Sequence, residues 1–273
     1  MSTNSPDKKG MVQVKLCPVC NIPTVDIYRI SESREDSTKD TVGTWHKCQC
    51  GVIFQSELPS HDCYNNIYTK KSSLVKEARI RGVHAARMVT PLIEESIYGR
   101  MMLDVGFRTT FNMEFFKERG WLVWGIDRNE DLEGKGNIYK GNFETYDFSP
   151  NIGEAKLKEL GIDKVERTFD LIWMSHVLEH FNDPIKALKK AYDLLAPTGM
   201  IYIAVPDIDF ITKTGISKYP HWKKNEHYIM WTQRALVREL ERLGFDIIMK
   251  RRNISNRFTS WYDNQILAQI PYL

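Results

Sequence analysis

The sequence predicts an α/β protein: a mostly parallel sheet covered by helices on both faces, preceded by a small cysteine-rich module. Three observations predict it. Leu103-Asp104-Val105-Gly106 ends an apolar strand in a glycine turn. An amphipathic run follows, and Trp121-Leu122-Val123-Trp124-Gly125-Ile126-Asp127 ends a second strand in a carboxylate, the layout of a nucleoside-binding βαβ unit. From residue 100 onward strand and helix signals alternate, which parallel pairing requires. All five cysteines lie between Cys17 and Cys63.

Taken in order, residues 1–14 are polar and read as a disordered lead-in, and 15–70 as the cysteine-rich module. Cys17-Pro18-Val19-Cys20 opens that module, a charged loop spans Ser31 to Asp40, and Trp45-His46-Lys47-Cys48-Gln49-Cys50-Gly51 closes it. Residues 71–98 read as a linking helix, whose apolar pattern over 72–97 runs to Pro91 or resumes after it. The main domain, 99–273, then reads strand 100–105, helix 110–119, strand 121–126, a short helix, strand 137–140, helix 153–160 and strand 168–174. A helix over 183–195 follows, with Pro184 at the favoured first turn, and then a strand over 199–205. Pro206 to Trp231, rich in aromatics and lysines, has few periodic cues and reads as a functional loop over the ligand site. A helix over 232–243 stops at Gly244, and strands 245–250 and 262–270 form a final hairpin that adds an antiparallel strand.

Composition narrows the function. Lys+Arg 38 against Asp+Glu 35 leaves a net charge of +3, far from the basic balance of proteins that depend on phosphate contacts along a duplex. Met1 to Gly10 carries no apolar core segment, and no run approaches the ~18 apolar residues of a membrane helix. The expectation is a soluble, cytoplasmic protein with no membrane partner.

Two sites can be read from residue types. In the βαβ unit, Gly106 has no Cβ and lets the backbone turn sharply beside a ligand. The next helix offers free N–H groups at its start. Asp127, about 20 positions on, can accept hydrogen bonds from ribose hydroxyls. Arg108 and Phe111 stand where a full glycine fingerprint has glycine. In the module, two short turns presenting Cys17, Cys20, Cys48 and Cys50 are what a structural zinc ion needs, four thiolates completing a tetrahedron. The second pair is CxC in place of CxxC, so His46, His61 or Cys63 is an alternative ligand, and reduced thiols without metal are the alternative state.

These residues resemble a class I S-adenosylmethionine-dependent methyltransferase. The resemblance covers roughly residues 75–273 and runs through Leu103-Asp104-Val105-Gly106, Gly125-Ile126-Asp127, Phe169 to His180, Asp183-Pro184, Pro197-Thr198-Gly199, Val205-Pro206-Asp207, Glu226-His227-Tyr228 and Gly244-Phe245. It implies a Rossmann-like methyltransferase fold with a seven-stranded, mostly parallel sheet. It also implies an S-adenosylmethionine pocket lined by Asp104, Gly106, Arg108, Asp127, Asn142, Phe143, Met174 and His176. Arg108 and Thr110 replace family glycines, and Arg108 can instead pair with the methionine carboxylate; Asn142 replaces a common acid and can accept from the adenine amino group. The front end, with Cys17, Cys20, Trp45, Cys48-Gln49-Cys50-Gly51, Tyr64 and Tyr68, is similar to that of sugar C-methyltransferases, which implies zinc and a nucleotide-linked sugar as the small-molecule acceptor.

Methyl transfer to a hydroxyl, amine or acidic carbon needs a base. His176 just past the fourth strand, His180 one helical turn on, and His227 in the long loop are the candidates; pocket lining, a satisfied helix-face histidine and loop bracing are the respective structural alternatives. The lysines and aromatics at 213–228 also suit a phosphate-and-base platform. Two rival functions stay open: a nucleic-acid methyltransferase, and a binding protein that kept the fold but lost the cofactor with its glycines. A nicotinamide-dependent dehydrogenase is the weakest rival.

Overall fold

The computed structural model describes residues 14–24, 26–32, 41–58, 72–97, 99–107, 111–128, 137–148, 168–210, 226–254 and 262–272. The expected lead-in (save its last residue), the short helix after Asp127, the helix over 153–160, and Arg108, Thr110, His61, Cys63, Tyr64, Tyr68 and the lysines and aromatics of 211–225 lie outside these residues.

The apolar runs that read as buried strands pair in one sheet. β6 (Met101–Val105) is buried at every residue and sits between β7 (Leu122–Asp127) and β9 (Phe169–Ser175). β8 (Ile138–Lys140) extends one side; β10 (Leu195–Pro206), β13 (Tyr262–Gln269) and β12 (Asp246–Ile254) extend the other, in the order β12-β13-β10-β9-β6-β7-β8. All pairings are parallel except those of β13, which runs antiparallel to both β10 and β12. The final hairpin is therefore folded into the sheet, with its second strand inboard of its first.

Alternation sorts side chains onto two faces. Leu103, Trp124, Ile172, Met174 and Ile203 pack with Ala187, Leu188 and Ala191 of α3 (Pro184–Leu194) and Leu236 and Leu240 of α4 (Gln233–Arg242). Met102, Val123, Trp173 and Tyr202 pack with Ala86, Val89 and Ile93 of α1 (Ser72–Ser96) and Met113 and Phe116 of α2 (Phe111–Lys117). Both faces are thus covered, as near-continuous apolar strands demand.

Local signals set the helix ends. Asp183 Oδ1 accepts from Lys186 N at 2.9 Å with Pro184 in the first turn. Thr232 Oγ1 accepts from Ala235 N at 3.1 Å. At the other end of α4, Gly244 (φ +95°) turns left-handed, and Phe245 N donates back to Leu240 O at 3.1 Å. Two boundaries differ from expectation. α3 stops at Leu194 because Leu194 O accepts from Thr168 N at 2.9 Å and Leu195 already pairs with Phe169. The expected turn at Pro197-Thr198-Gly199 is consequently an irregularity inside β10, with Thr198 at φ 65°.

The N-terminal module is a strand pair, β1 (Lys15–Leu16) with β2 (Pro23–Thr24), and a second sheet of β3 (Asp26–Glu32), β4 (Thr41–Lys47) and β5 (Val52–Gln55). A strand from the main domain completes this sheet. β11 (Ile229–Trp231) lies in the stretch expected to be loop, and pairs antiparallel with β5, Ile229 opposite Phe54 and Trp231 opposite Val52. Its apolar residues satisfy their backbone groups by lending a strand to a neighbouring sheet, a non-local pairing that local periodicity does not reveal. Among the described residues no helix is long and apolar enough to cross a membrane.

A β-branched residue in the left-handed region is strained by about 1–2 kcal/mol. Thr198→Gly should therefore raise the unfolding free energy by about 0.5–1 kcal/mol, the relief less the glycine entropy cost. Urea denaturation checks it; no gain would mean that the turn carries no strain.

Candidate active site

The strand order reverses between β6 and β9, so a crevice opens at their C-terminal tips, where open α/β sheets bind ligands. Gly106 forms the floor of the turn at the end of β6. Its φ is +68°, its N–H donates to Ile126 O at 2.8 Å, and a Cβ there would stand 2.6 Å from Val177 Cγ2. Only glycine fits that position, because the left-handed turn and the Val177 side chain packed against it leave no room for a Cβ. Gly125 does the same for packing: a Cβ there would meet the Phe107 ring at 2.8 Å.

The expected pocket residues fall into two groups. Gly106, Asp127, Asn142 and His176 are partly exposed at adjoining strand tips, with Asp127 at the end of β7 opposite Lys140 on β8. Asp104, Phe143 and Met174 are enclosed, at 1%, 3% and 0% exposure. Met174 belongs to the core between the sheet and α3, and Phe143 packs edge-on to Phe148 at 6.1 Å. Burial, reinforced by the charge of Asp127, raises the Asp104 carboxyl well above the usual range beneath the crevice. Asn142 Oδ1 accepts from Glu144 N at 3.1 Å, a local turn that orients the amide. Sequence reasoning missed Glu144. Its carboxylate takes Asp183 N at 2.8 Å and Arg128 at 3.3 Å, tying the β8 tip to the start of α3.

The three histidines come together at the tip of β9. His176, at φ 55°, donates its backbone N–H to Ala204 O at 2.8 Å. Its Nδ1 is 3.4 Å from Glu179 Oε1 and its Nε2 is 3.4 Å from Asp263 Oδ1. Burial disfavours the imidazolium, but Asp263 and then Glu179 outweigh it and lift the pKa to about 9. The ring is a cation at neutral pH. Glu179 is the middle residue of a short 3-10 turn, Leu178–His180, and is completely buried. His180 Nδ1 donates to Glu226 O at 2.6 Å, and the His180 and His227 rings meet edge to face at 4.9 Å. Glu179 O accepts from Tyr228 N at 2.8 Å, and Tyr228 O accepts from Gln55 N at 3.0 Å. The Gln55 side chain also donates to His227 O. Asp263 and Gln55 were not foreseen; the run Asp263-Asn264-Gln265, polar yet flanked by apolar strand residues, is the signal for the first.

The four cysteines converge as well. Cys17 and Cys50 sulfurs are 3.7 Å apart, Cys20 and Cys48 sulfurs 3.4 Å, and all four lie within 4.8 Å of one another, unbridged. A zinc–sulfur bond of about 2.3 Å sets a tetrahedral edge near ~3.8 Å, so these dimensions are compatible with zinc. Each turn is closed by the backbone: Asn21 N (φ 59° at this residue) donates to Cys17 O at 2.9 Å, and Gly51 N (φ +98°) to Cys48 O at 3.0 Å. The close Cys17–Cys50 contact acts on the two thiols in opposite directions, pulling Cys50 down and pushing Cys17 up, and burial raises Cys48 as well. His46 is not part of the cluster: its Nε2 is 2.6 Å from Ser56 Oγ and its ring stacks on Phe54.

A glycine-floored crevice at a sheet switch point, with a carboxylate at the tip of the second strand, defines a nucleoside-dependent α/β enzyme. The chain belongs to the methyltransferase-domain family, whose model matches residues 78–250, more than half of its length. Its methyltransferase domain is of the S-adenosylmethionine-dependent class. Residues of the chain are 26% identical over 115 residues to the ubiquinone biosynthesis O-methyltransferases of several Coxiella burnetii strains, covering 42% of this chain and 47% of those proteins. The chain thus spans about half the length of the curated relatives it matches. Similar folds occur in the Burkholderia thailandensis 1,6-didemethyltoxoflavin-N1-methyltransferase bound to 1,6-didemethyltoxoflavin and S-adenosylhomocysteine (15% identity, 87% of this chain, 98% of that one, TM-score 0.53). The PH0226 protein of Pyrococcus horikoshii is another (14%, 76% and 95%, TM-score 0.50).

Asp104 also gives a pH dependence. A carboxyl whose folded pKa is raised contributes stability below its unfolded value of about 3.9, and that contribution is lost as pH rises through the folded pKa. Asp104→Asn, neutral at every pH, should resist urea better than the parent protein at pH 8, with the advantage shrinking toward pH 4. A constant difference across that range would mean that Asp104 does not titrate in this window.

Proposed function

We propose that the chain transfers a methyl group from S-adenosylmethionine to a small-molecule acceptor held between the crevice and the cysteine module, and that the acceptor is a nucleotide-linked sugar. The observation that carries this reading is the seam through Glu226 to Trp231. That one segment touches Glu179 and His180 at the tip of β9 and then pairs with β5 of the module. The wall facing the crevice is therefore built partly by the module, as an acceptor site needs. The resemblance of the module to that of sugar C-methyltransferases supplies the acceptor class. The modest net charge of +3 gives nucleic acid no comparable support.

When bound, S-adenosylmethionine supplies a methyl group on a sulfonium, an electrophile for in-line displacement. The chain contributes alignment, which such a reaction needs most. Gly106 admits the nucleoside close to the backbone, and Asp127 accepts from its ribose hydroxyls. His176, held charged between Glu179 and Asp263, orients the tip of β9 and has no lone pair with which to take a proton. The remaining imidazoles at this end, His180 and His227, stand together beside the seam. Cys17, Cys20, Cys48 and Cys50 would hold a zinc ion, which would cross-link the two turns of the module.

Two outcomes are expected. Asp127→Ala should weaken S-adenosylhomocysteine binding by about 10–100-fold in calorimetry, the size of a lost pair of charge-assisted hydrogen bonds. Unchanged affinity would remove Asp127 from the cofactor site. Purified protein should carry one zinc ion per chain by elemental analysis, and chelation should lower its melting temperature while Cys48→Ser abolishes the zinc. Metal-free protein of equal stability would leave the cysteines as plain thiols.

A further inference from the structure

Glu179, His180 and His227 form a cluster that the nucleoside site does not use. One ligand atom from each lies within 4.8 Å of the other two, and the residues are buried or nearly so. Glu179 has no exposed surface, and neither of its carboxylate oxygens accepts a hydrogen bond among the described residues. Its charge is met from one side by His176 Nδ1 at 3.4 Å. On the other side stands His180 Nε2, 3.9 Å from Oε1. That distance is too long for a hydrogen bond.

The orientation of His180 makes this gap informative. Its Nδ1 donates to the backbone carbonyl of Glu226 at 2.6 Å, so Nε2 is the ring atom turned toward Glu179. Nε2 and the buried carboxylate oxygen face each other across 3.9 Å. A cation with ligand bonds of about 2.0–2.2 Å spans such a gap and would satisfy the carboxylate. The hydrogen bond from Nδ1 to a backbone carbonyl is also the outer partner that metal-ligating histidines use to fix ring and tautomer. His227 is held in place from the module side, its carbonyl taking the Gln55 side chain, while Tyr228 N binds Glu179 O at 2.8 Å. The three donors are preorganised by hydrogen bonds from the 226–228 segment and from Gln55 of the module.

We propose that Glu179, His180 and His227 bind a divalent first-row transition-metal ion, distinct from any ion on the four cysteines. Two imidazoles and one carboxylate leave coordination positions open. An oxygen of the acceptor, a hydroxyl or carboxylate, is the ligand class that fills them. Only this last assignment rests on the methyl-transfer reading. Coordination would acidify an acceptor hydroxyl, as it lowers the pKa of bound water to about 7 on zinc, and would do so without a free general base.

Manganese(II) is the probe, since it favours nitrogen and oxygen ligands and avoids thiolates. The zinc-loaded full chain is titrated with manganese chloride, free ion being read by electron paramagnetic resonance, with S-adenosylhomocysteine binding measured in parallel by calorimetry. One saturable manganese site per chain is expected, weakened at least tenfold in both Glu179→Gln and His227→Gln while those variants still bind S-adenosylhomocysteine. Absence of a saturable site, or equal manganese affinity in variants that keep nucleoside binding, overturns the proposal. A manganese site that is lost in the variants, in a parent protein that does not bind S-adenosylhomocysteine, would uphold the cation site and remove the methyl-transfer reading instead.

Discussion

Tyr228 is the backbone hinge pin of the molecule. Its N–H goes to Glu179 O at 2.8 Å and its C=O to Gln55 N at 3.0 Å, so one residue joins the fourth strand of the large sheet to the small sheet of the module. Everything at this end of the sheet depends on that pair of bonds. They start β11 on its pairing with β5, seat His227 beside His180, and bring Trp231 under Val52. The joint is reinforced at the cysteines, where Arg238 donates to Cys50 O at 3.0 Å and Thr232 N to Gly51 O at 3.2 Å. Gly51 is constrained on two counts, by its φ of +98° and by Thr232 Oγ1, which a Cβ would approach to 2.7 Å. The module is therefore part of the same packed body as the sheet, sharing a core that includes Cys17, Phe54, Trp231 and Leu236.

Charge burial has opposite outcomes at two places only a few residues apart on the sheet. Asp104 has no cationic partner among the described residues and lies near Asp127, and burial with that neighbouring charge pushes its carboxyl well above the ordinary range. Glu179 is as deeply buried, yet His176 and His180 hold its pKa below the ordinary value. The difference is the company of imidazoles, which offset desolvation that would otherwise cost several kcal/mol. His176 in turn depends on Asp263, which arrives from β13, far away in sequence.

Much of this was legible in the sequence because the relevant physics is local. The glycine turn at 106, the carboxylate at 127, Pro184 in a first turn and Gly244 after a helix each announce themselves within a few residues. The two cysteine pairs also declared their convergence. What the sequence did not reveal depends on contacts between distant segments: β11 donated to another sheet, and the end of α3 set by Thr168. The site shows the same division. Asp127 and the histidines carry recognisable motifs, whereas Met174 and Phe143 sit in similar motif positions but turn into the core, a choice that strand alternation and neighbouring aromatics decide. Asp263 and Gln55 acquire their roles only from where β13 and β5 are laid down.

The placement of β13 has a consequence for assembly. It is made after β12 yet lies between β12 and β10, each of which exposes an unsatisfied edge until it arrives. The same late segment brings Asn264, whose amide binds Asp207 Oδ1 at 3.2 Å and Trp231 O at 3.3 Å, and so clamps the carboxyl end of β11 from below. Laying down β13 therefore delivers two things at once, the anion opposite His176 and the clamp on the joint, and couples the charge state at the tip of β9 to the docking of the cysteine module.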